Sequence, residues 1–161
     1  MRRLESFRTE KNSLCHWKDF RRPSTVYTNH LIMHAANWCP SLALKRRIIR
    51  LSGMRIGKDV SIAPNFHFDF FYPELVEIGD NTIIGYGTTI IAHEFLVSEM
   101  RKGTVRIGKS VMIGANSTIL AGVNIGDNSV ISAMTLVNMD VPAGSFCCGN
   151  PMKIRRRRSA R

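Results

Sequence analysis

The chain has 161 residues, of which 44% are hydrophobic and 22% charged, values that suit one compact domain with its own core. Its 23 Lys and Arg outnumber its 12 Asp and Glu, and the net charge of +11 alone would suggest binding to nucleic acid or a membrane. The distribution of charge weakens that suggestion. Basic residues outnumber acidic ones 13 to 3 in residues 1–58 and 6 to 0 in residues 153–161, whereas acidic residues prevail 9 to 4 in residues 59–152.

Two further bounds concern targeting and redox chemistry. The chain has no apolar run near the roughly 20 residues that a membrane-spanning helix needs, and its first residues lack the apolar stretch of a secretory signal peptide. The cysteines Cys15, Cys39, Cys147 and Cys148 form no C-x-x-C pair, so we expect reduced thiols and a cytoplasmic location.

The first predicted elements are helices in residues 26–51, where apolar residues recur at helical spacing on both sides of Pro40. We expect residues 1–55 to form a helical cap over one end of the domain that follows. The alternative is an amphipathic contact with a membrane surface, which would make the protein peripheral to the bilayer. The basic residues available for that contact are Lys45, Arg46, Arg47 and Arg50.

A six-residue repeat begins at Ile56. The second residue of each hexad is small or turn-forming in nine of ten cases, with Leu120 as the exception. The fifth is mostly Val, Ser or Thr and includes Val141. Neither the 3.6-residue period of a helix nor the two-residue period of a simple strand fits this pattern. The first positions are Ile56, Ile62, Ile78, Ile84, Ile107, Ile113, Ile119, Ile125, Ile131 and Val137.

A period of six indicates a short strand and a corner that repeat along the chain. The aliphatic first residues would face inward and stack on the next coil, and the small second residue would permit the tight corner. We therefore predict a parallel β-solenoid for residues 56–152.

The phase of the repeat slips twice, and each slip predicts an insertion that leaves the solenoid. The spacing is sixteen residues between Ile62 and Ile78, and twenty-three between Ile84 and Ile107. We place the second insertion at residues 92–104, as an extended loop of the kind that carries binding groups on a rigid scaffold.

The hexads, the His-bearing insertion and the ending GNPMK together resemble the hexapeptide-repeat acyltransferases, and most closely the maltose and galactoside O-acetyltransferase type. The resemblance covers roughly residues 50–156. It implies a left-handed parallel β-helix with three hexads per coil, and a homotrimer whose active sites lie between neighbouring subunits. It also implies acetyl-CoA as co-substrate and a saccharide or other small hydroxyl compound as acceptor.

The resemblance implies that His93 is the catalytic base. A hydroxyl is a poor nucleophile at neutral pH, and an imidazole is suited to take its proton as it attacks the thioester directly. Such a transfer needs no Ser or Cys nucleophile. Glu94 stands where the family usually has Pro, and we expect it to face solvent rather than to orient His93.

Two candidates match the asparagine that the family places near the oxyanion or the acceptor. Asn65 is one, through an alignment anchored on the IGDN motif, and Asp69 is the other because the spacing in this segment is uncertain. Either residue would hydrogen-bond an acceptor hydroxyl.

The resemblance also implies contacts with the coenzyme. The matching corner residues are Ala115 and Ala133, and the basic residues Lys153 and Arg156 would pair with its phosphates. Residues 153–161 form a basic tail that is otherwise expected to be solvated. The chain departs from the family at Ala121, Met134, Asn138 and Met139.

Other functions compete with acetyl transfer. A zinc hydratase on the same scaffold needs three histidine ligands, and only His30 and His34 share a ligand-like spacing, so we expect no metal. The basic tail could attract nucleic acid, but no recognition motif accompanies it, and we expect no specific nucleic-acid partner. N-acetyl transfer and a catalytically inactive scaffold remain alternatives.

Overall fold

The computed structural model of the chain describes residues 2–156. Within that range it contains three α-helices, two short 3-10 turns and seventeen strands. The helices are α1 (Trp17–Phe20), α2 (Pro23–Trp38) and α3 (Leu42–Arg50). The strands are β1 (Glu5–Arg8), β2 (Arg55–Ile56), β3 (Ser61–Ile62), β4 (His67–Phe68), β5 (Val76–Ile78), β6 (Ile83–Ile84), β7 (Thr89–Ile90), β8 (His93–Phe95), β9 (Glu99–Lys102), β10 (Val105–Ile107), β11 (Met112–Ile113), β12 (Thr118–Ile119), β13 (Asn124–Ile125), β14 (Val130–Ile131), β15 (Leu136–Val137), β16 (Ser145–Cys148) and β17 (Lys153–Arg156).

The hexads form a parallel β-helix with three faces. One sheet has the order β2-β5-β10-β13, a second β3-β6-β11-β14-β16, and a third β4-β7-β12-β15, so each coil contributes one strand to each sheet. The strand β17 folds back antiparallel on β16. First positions lie in register between coils, as in the row from Ile62 through Ile84 and Ile113 to Ile131, which is at most 1% exposed. These buried rows are the core, and each side chain contributes roughly 1.5–3 kcal/mol through its burial.

The structural repeat includes hexads that lack the Ile-Gly pair. Phe68 stacks on Ile90 as the inward residue of the third face, six residues after Ile62 and Ile84 respectively. Each insertion therefore begins only after a full coil has been completed. The Ile-Gly pattern does not include these two hexads, because Phe68 is followed by Asp69 and Ile90 by another isoleucine.

The last coil also differs from the predicted register. The sequence predicts Val141 at a fifth position, but it pairs with Ile125 and so begins the next coil. Cys147 then takes the inward position above Ile131 and is fully buried.

The corners use two different residues. Position four adopts left-handed backbone, usually at Asn, Asp, Ser or Gly, and Met134 adopts it with φ 59°. The glycine at position two has another role. A Cβ on Gly85 would lie 2.7 Å from the Ala115 nitrogen, and one on Gly114 would lie 2.4 Å from the Ala133 nitrogen. The small second residue is thus required by the close stacking of coils, and the sharp bend is supplied two residues later.

The helices α2 and α3 lie where the helical periodicity predicts. Pro23 occupies the first turn of α2, where its missing N–H costs no hydrogen bond. The helix ends at Trp38, because Pro40 disfavours helical backbone in the residue that precedes it. Ser41 caps α3, because its Oγ accepts a hydrogen bond from Leu44 N at 3.4 Å. None of the helices described within residues 2–156 is long and apolar enough to cross a bilayer.

The helix α3 covers the open edge of the first coil with cations. Lys45 Nζ donates to Ala63 O at 3.2 Å, Arg46 Nη1 to Val60 O at 2.9 Å, and Arg50 Nη2 to Ile56 O at 2.7 Å. Edge strands expose unpaired carbonyls, and these three side chains satisfy them. Burial lowers the pKa of Lys45. Three of the four basic residues considered for membrane contact therefore point at the solenoid instead, and they account for part of the N-terminal charge.

The two insertions fold back over the first coils. The first follows Phe68 and is held by α2, since Asn29 Nδ2 donates to Phe70 O at 3.0 Å. The second forms an antiparallel hairpin of β8 and β9, and β1 adds a third strand in the order β1-β9-β8. This small sheet positions His93 at the start of β8.

Candidate active site

The two insertions meet at His93 and Asp69. Asp69 directly follows the inward residue Phe68, and His93 is the first residue of β8. The distance from His93 Nδ1 to Asp69 Oδ2 is 2.5 Å. The Asp69 side chain is fully buried and the His93 side chain is 14% exposed. The fold therefore joins residues 24 positions apart into a single polar pair with one accessible member.

Asp69 is surrounded by donors. Its Oδ1 accepts hydrogen bonds from Phe71 N and Tyr72 N, both at 2.9 Å, and its Oδ2 accepts one from Ala92 N at 2.7 Å in addition to His93. An ionised carboxylate is an acceptor only, and this arrangement fits one. The proton of His93 therefore lies on Nδ1, which leaves the Nε2 lone pair free to act as a base.

Aromatic rings enclose the imidazole. The ring centroid of His93 lies 4.7 Å from that of Phe71, 4.9 Å from Phe95 and 5.8 Å from Tyr72. Tyr72 donates its hydroxyl to Phe20 O at 3.1 Å, and burial raises the pKa of this phenol against the opposing charge of Arg21. These apolar contacts fix the plane of the imidazole and keep water from its sides.

A cavity of about 330 Å³ opens beside His93. Its walls come from α2, β4, the first insertion, β7 and the start of β8. Its size and largely apolar lining suit a small organic molecule placed against the base. The lining residues are Met33, His67, Phe68, Asp69, Phe70, Thr89, Ile90, Ile91 and His93.

The predicted acceptor contacts fall in different places. Asn65 lies at an exposed corner with φ 57°, where its Nδ2 donates to the Tyr86 hydroxyl at 2.5 Å, and it is not among the residues that line the cavity. Asp69 lines the cavity, but its buried oxygens are engaged by backbone N–H groups and His93. The carboxylate of Asp69 thus contacts the base, and a hydrogen bond from Asn65 or Asp69 to an acceptor hydroxyl stays a prediction.

Sequence reasoning missed most of the walls of this site. Phe71 and Tyr72 belong to the first insertion, and Met33 comes from α2. One signal was available for part of it: had Phe68 been assigned as an inward residue, Asp69 would have been placed at the corner beside the second insertion.

The sequence predicts that Glu94 faces solvent, and the structure differs. Glu94 forms an ion pair with Arg2, and its side chain is 21% exposed. It also does not contact the imidazole of its neighbour His93, since successive residues of a strand point to opposite faces.

The residues proposed for coenzyme contact lie in the C-terminal half of the chain, from the corner after β11 to the strand β17. Ala115 and Ala133 belong to the same column of corners, where Met134 N donates to Ala115 O at 2.9 Å. Lys153 is exposed at the start of β17 and pairs with Cys148. The side chain of Arg156 and residues 157–161 of the basic tail lie outside the described part of the chain.

Other titratable groups lie apart from the pair. Burial raises the pKa of the Cys147 thiol to about 11, so this cysteine is an inert core residue. His30 and His34 have their Nε2 atoms 3.1 Å apart on α2. Among the described residues, no three His, Cys, Asp or Glu side chains are grouped as a metal centre would require.

Comparison with known proteins agrees with this architecture. A family model described as "Hexapeptide repeat of succinyl-transferase" matches residues 104–135. The chain is 49% identical over 130 residues to the Bacillus subtilis protein named "Putative acetyltransferase YvoF", covering 80% of this chain and 76% of that protein. It is 34% identical over 111 residues to galactoside O-acetyltransferase of Escherichia coli, covering 62% of this chain and 55% of that protein. A solved structure of galactoside acetyltransferase in complex with coenzyme A matches with a TM-score of 0.67 at 27% identity, over 83% of this chain and 80% of that one.

The β-helix of hexads, taken with these matches, places the chain in the class of acyltransferases. The chain belongs to the hexapeptide-repeat acetyltransferases, which confirms the resemblance seen in its sequence. The kinship also implies that the β-helix is left-handed.

Proposed function

We propose that the protein transfers an acetyl group from acetyl-CoA to a hydroxyl of a saccharide-like acceptor, with His93 as general base. The observation that carries the proposal is the contact between His93 Nδ1 and the buried carboxylate of Asp69, which leaves Nε2 as the basic atom of a histidine that lines the cavity. A galactoside acetyltransferase among the relatives, with coenzyme A in its structure, supports the substrate classes.

The chemistry follows from the pair. Asp69 keeps the proton on Nδ1 and stabilises the imidazolium that forms when Nε2 takes the proton of the acceptor hydroxyl. The acceptor oxygen forms a bond to the thioester carbonyl carbon, and a backbone N–H stabilises the oxyanion. When the carbon–sulfur bond breaks, His93 returns the proton to the departing sulfur, so the base is regenerated without a covalent enzyme intermediate.

The coenzyme is proposed to lie along the corner column. Ala115 and Ala133 have small side chains that let an extended ligand approach the backbone, and the exposed Lys153 is suited to a phosphate. Arg156 is proposed for the same role from its place in the sequence. As in the arrangement implied by the family, three chains would form a homotrimer with the groove between neighbouring solenoids.

The remaining organisation is proposed on the same basis. Residues 1–55 act as an N-terminal cap region, residues 56–152 as the β-helix, and residues 153–161 as a basic tail. The contacts of α3 with the first coil support the cap. We place the protein in the cytoplasm, where acetyl-CoA is made available.

The alternatives differ from this proposal in measurable ways. An amine acceptor would use the same base, so N-acetyl transfer is separated only by the acceptor. A catalytically inactive scaffold would have no need for a buried carboxylate that donors hold in place against a histidine, and the intact pair favours an enzyme.

The deciding experiment is thiol release from acetyl-CoA with a panel of saccharide and amine acceptors. We expect His93→Ala to lower kcat by roughly 10²–10⁴-fold while coenzyme A still binds. His34→Ala removes an exposed histidine of α2 and serves as the matched control, with kcat unchanged. Turnover by His93→Ala at the rate of the control would refute the assignment, and turnover with amines alone would replace the acceptor class.

A further inference from the structure

The segment before α2 lies across the hairpin that carries His93. Its strand β1 pairs along β9, and Arg3 N donates to Gly122 O of the solenoid at 3.1 Å. A Cβ on Gly103 would lie 2.3 Å from Arg3 O, and one on Gly122 would lie 2.5 Å from it. Two glycines, one from the hairpin and one from the solenoid, therefore leave the space that the backbone of Arg3 fills.

The neighbouring residue joins this segment to the hairpin through charge. Arg2 pairs with Glu94, the residue after His93 in β8, and both side chains are about four-fifths buried, at 22% and 21% exposed. Two hydrogen bonds hold the turn of the hairpin. Ser13 Oγ donates to Leu96 O at 2.6 Å, and Thr9 N donates to Ser98 O at 2.9 Å.

A row of aromatic rings continues from the segment to the base. Phe7 of β1 lies 6.3 Å from Phe20 of α1, Phe20 lies 6.2 Å from Phe95, and Phe95 lies 4.9 Å from His93, measured between ring centroids. The segment thus contacts the hairpin along its outer strand, at its turn and on the aromatic face that borders the imidazole.

We propose that residues 2–20, the N-terminal clasp, position His93 for catalysis, and that Arg2 is a positioning residue acting through Glu94. The inference rests on the proposed role of His93 as the base. A two-stranded hairpin is marginally stable alone, and a third strand with an ion pair at its root restricts its movement. A displacement of about 1 Å at a reacting group can cost roughly 10²-fold in rate, so a small movement of the hairpin is enough to lower kcat.

The first test compares two ion pairs. We expect Arg2→Ala to lower kcat by roughly 10-fold with the KM for acetyl-CoA unchanged, because Arg2 pairs with Glu94 of the hairpin and not with a residue proposed for coenzyme contact. Arg2→Lys keeps a cation and should recover most of the rate. Arg55→Ala breaks the Arg55–Glu77 pair on the solenoid surface and is the matched control, with kcat unchanged.

A second readout does not depend on turnover. The Nδ1 proton of His93, held by Asp69, should give a downfield proton resonance, assigned by its loss in His93→Ala. The resonance should broaden or move in Arg2→Ala and stay in place in Arg55→Ala. Gly103→Ala, which displaces Arg3 without changing either charge, should act on it like Arg2→Ala.

The outcomes separate the two proposals. An Arg2→Ala variant with wild-type kcat and an unmoved resonance overturns the clasp, even if His93→Ala is inactive. An equal loss of kcat in Arg2→Ala and Arg55→Ala also overturns it, because the effect would belong to any surface ion pair. Full activity of His93→Ala refutes the base, and a moved resonance in Arg2→Ala would then still show that the clasp sets the position of the ring.

Discussion

Replacing Asp69 with asparagine gives the sharpest test of the buried pair. Aspartate offers two acceptor oxygens to four donors, two at each oxygen. Asparagine keeps one oxygen and replaces the other with an amide NH₂. It therefore satisfies one pair of donors and turns its own N–H groups toward the other pair.

The two orientations of the asparagine differ in cost. With its oxygen toward Phe71 and Tyr72, it leaves Ala92 N–H without an acceptor, and His93 must accept from the amide at Nδ1 and carry its proton on Nε2. With its oxygen toward His93, it keeps the productive tautomer but leaves the N–H groups of both Phe71 and Tyr72 without an acceptor. One extra unsatisfied buried N–H costs about 1–3 kcal/mol, so the first orientation prevails by that amount.

This difference sets the expected loss of activity. At 1.4 kcal/mol per tenfold, the productive tautomer is depleted by roughly 5- to 150-fold, which is the smallest expected loss in kcat. A comparable aspartate-to-asparagine change that leaves a catalytic histidine in the wrong tautomer costs about 10⁴-fold, which is the largest. The free energy of unfolding should fall by about 1–3 kcal/mol, the cost of one unsatisfied N–H.

The measurement combines kinetics with the tautomer. The kcat comes from thiol release at saturating acetyl-CoA, and nitrogen NMR of the imidazole reports which atom carries the proton. Asp80→Asn is the matched control, because Asp80 accepts a backbone hydrogen bond from Lys58 N at 2.8 Å but lies on the solenoid away from His93. An Asp69→Asn variant with kcat within threefold of this control and its proton still on Nδ1 would refute the reasoning.

Two further predictions concern stability. Arg50→Ala removes donors to Ile56 O and Gly57 O at the open edge, and it should lower the free energy of unfolding by about 1–2 kcal/mol in urea titration. The control Arg47→Ala, on the exposed side of α3, should change this free energy by less than about 0.5 kcal/mol. Equal effects of the two substitutions would contradict the role given to α3. Burial in the folded state raises the pKa of the Cys147 thiol to about 11. The contribution of this thiol to the free energy of unfolding is therefore fully present below the unfolded pKa near 9, and it is lost as the pH rises toward 11. The loss is at most about 2–3 kcal/mol relative to Cys147→Val, and parallel pH profiles for the two proteins would contradict it.

The sequence alone determined the parallel β-helix. Each Ile-Gly hexad meets a local requirement for an inward aliphatic residue and for a corner without room for a Cβ. The pattern can therefore be recognised wherever the chain has isoleucine followed by glycine at this spacing. The same dependence explains why the sequence does not predict Phe68 and Val141 as inward residues, since neither belongs to an Ile-Gly pair. The insertion that contains His93 was also visible, as a break in the period, and its catalytic role stays a prediction.

Only the tertiary structure decided what surrounds His93. Asp69 reaches it from the previous coil, Arg2 secures its hairpin from 92 residues away, and α3 satisfies carbonyls of the first coil. Such contacts leave no periodic trace, because each is made once, between segments whose meeting depends on how the insertions fold over the coils. Periodicity records what every coil must repeat, whereas the site is built from what the chain does not repeat.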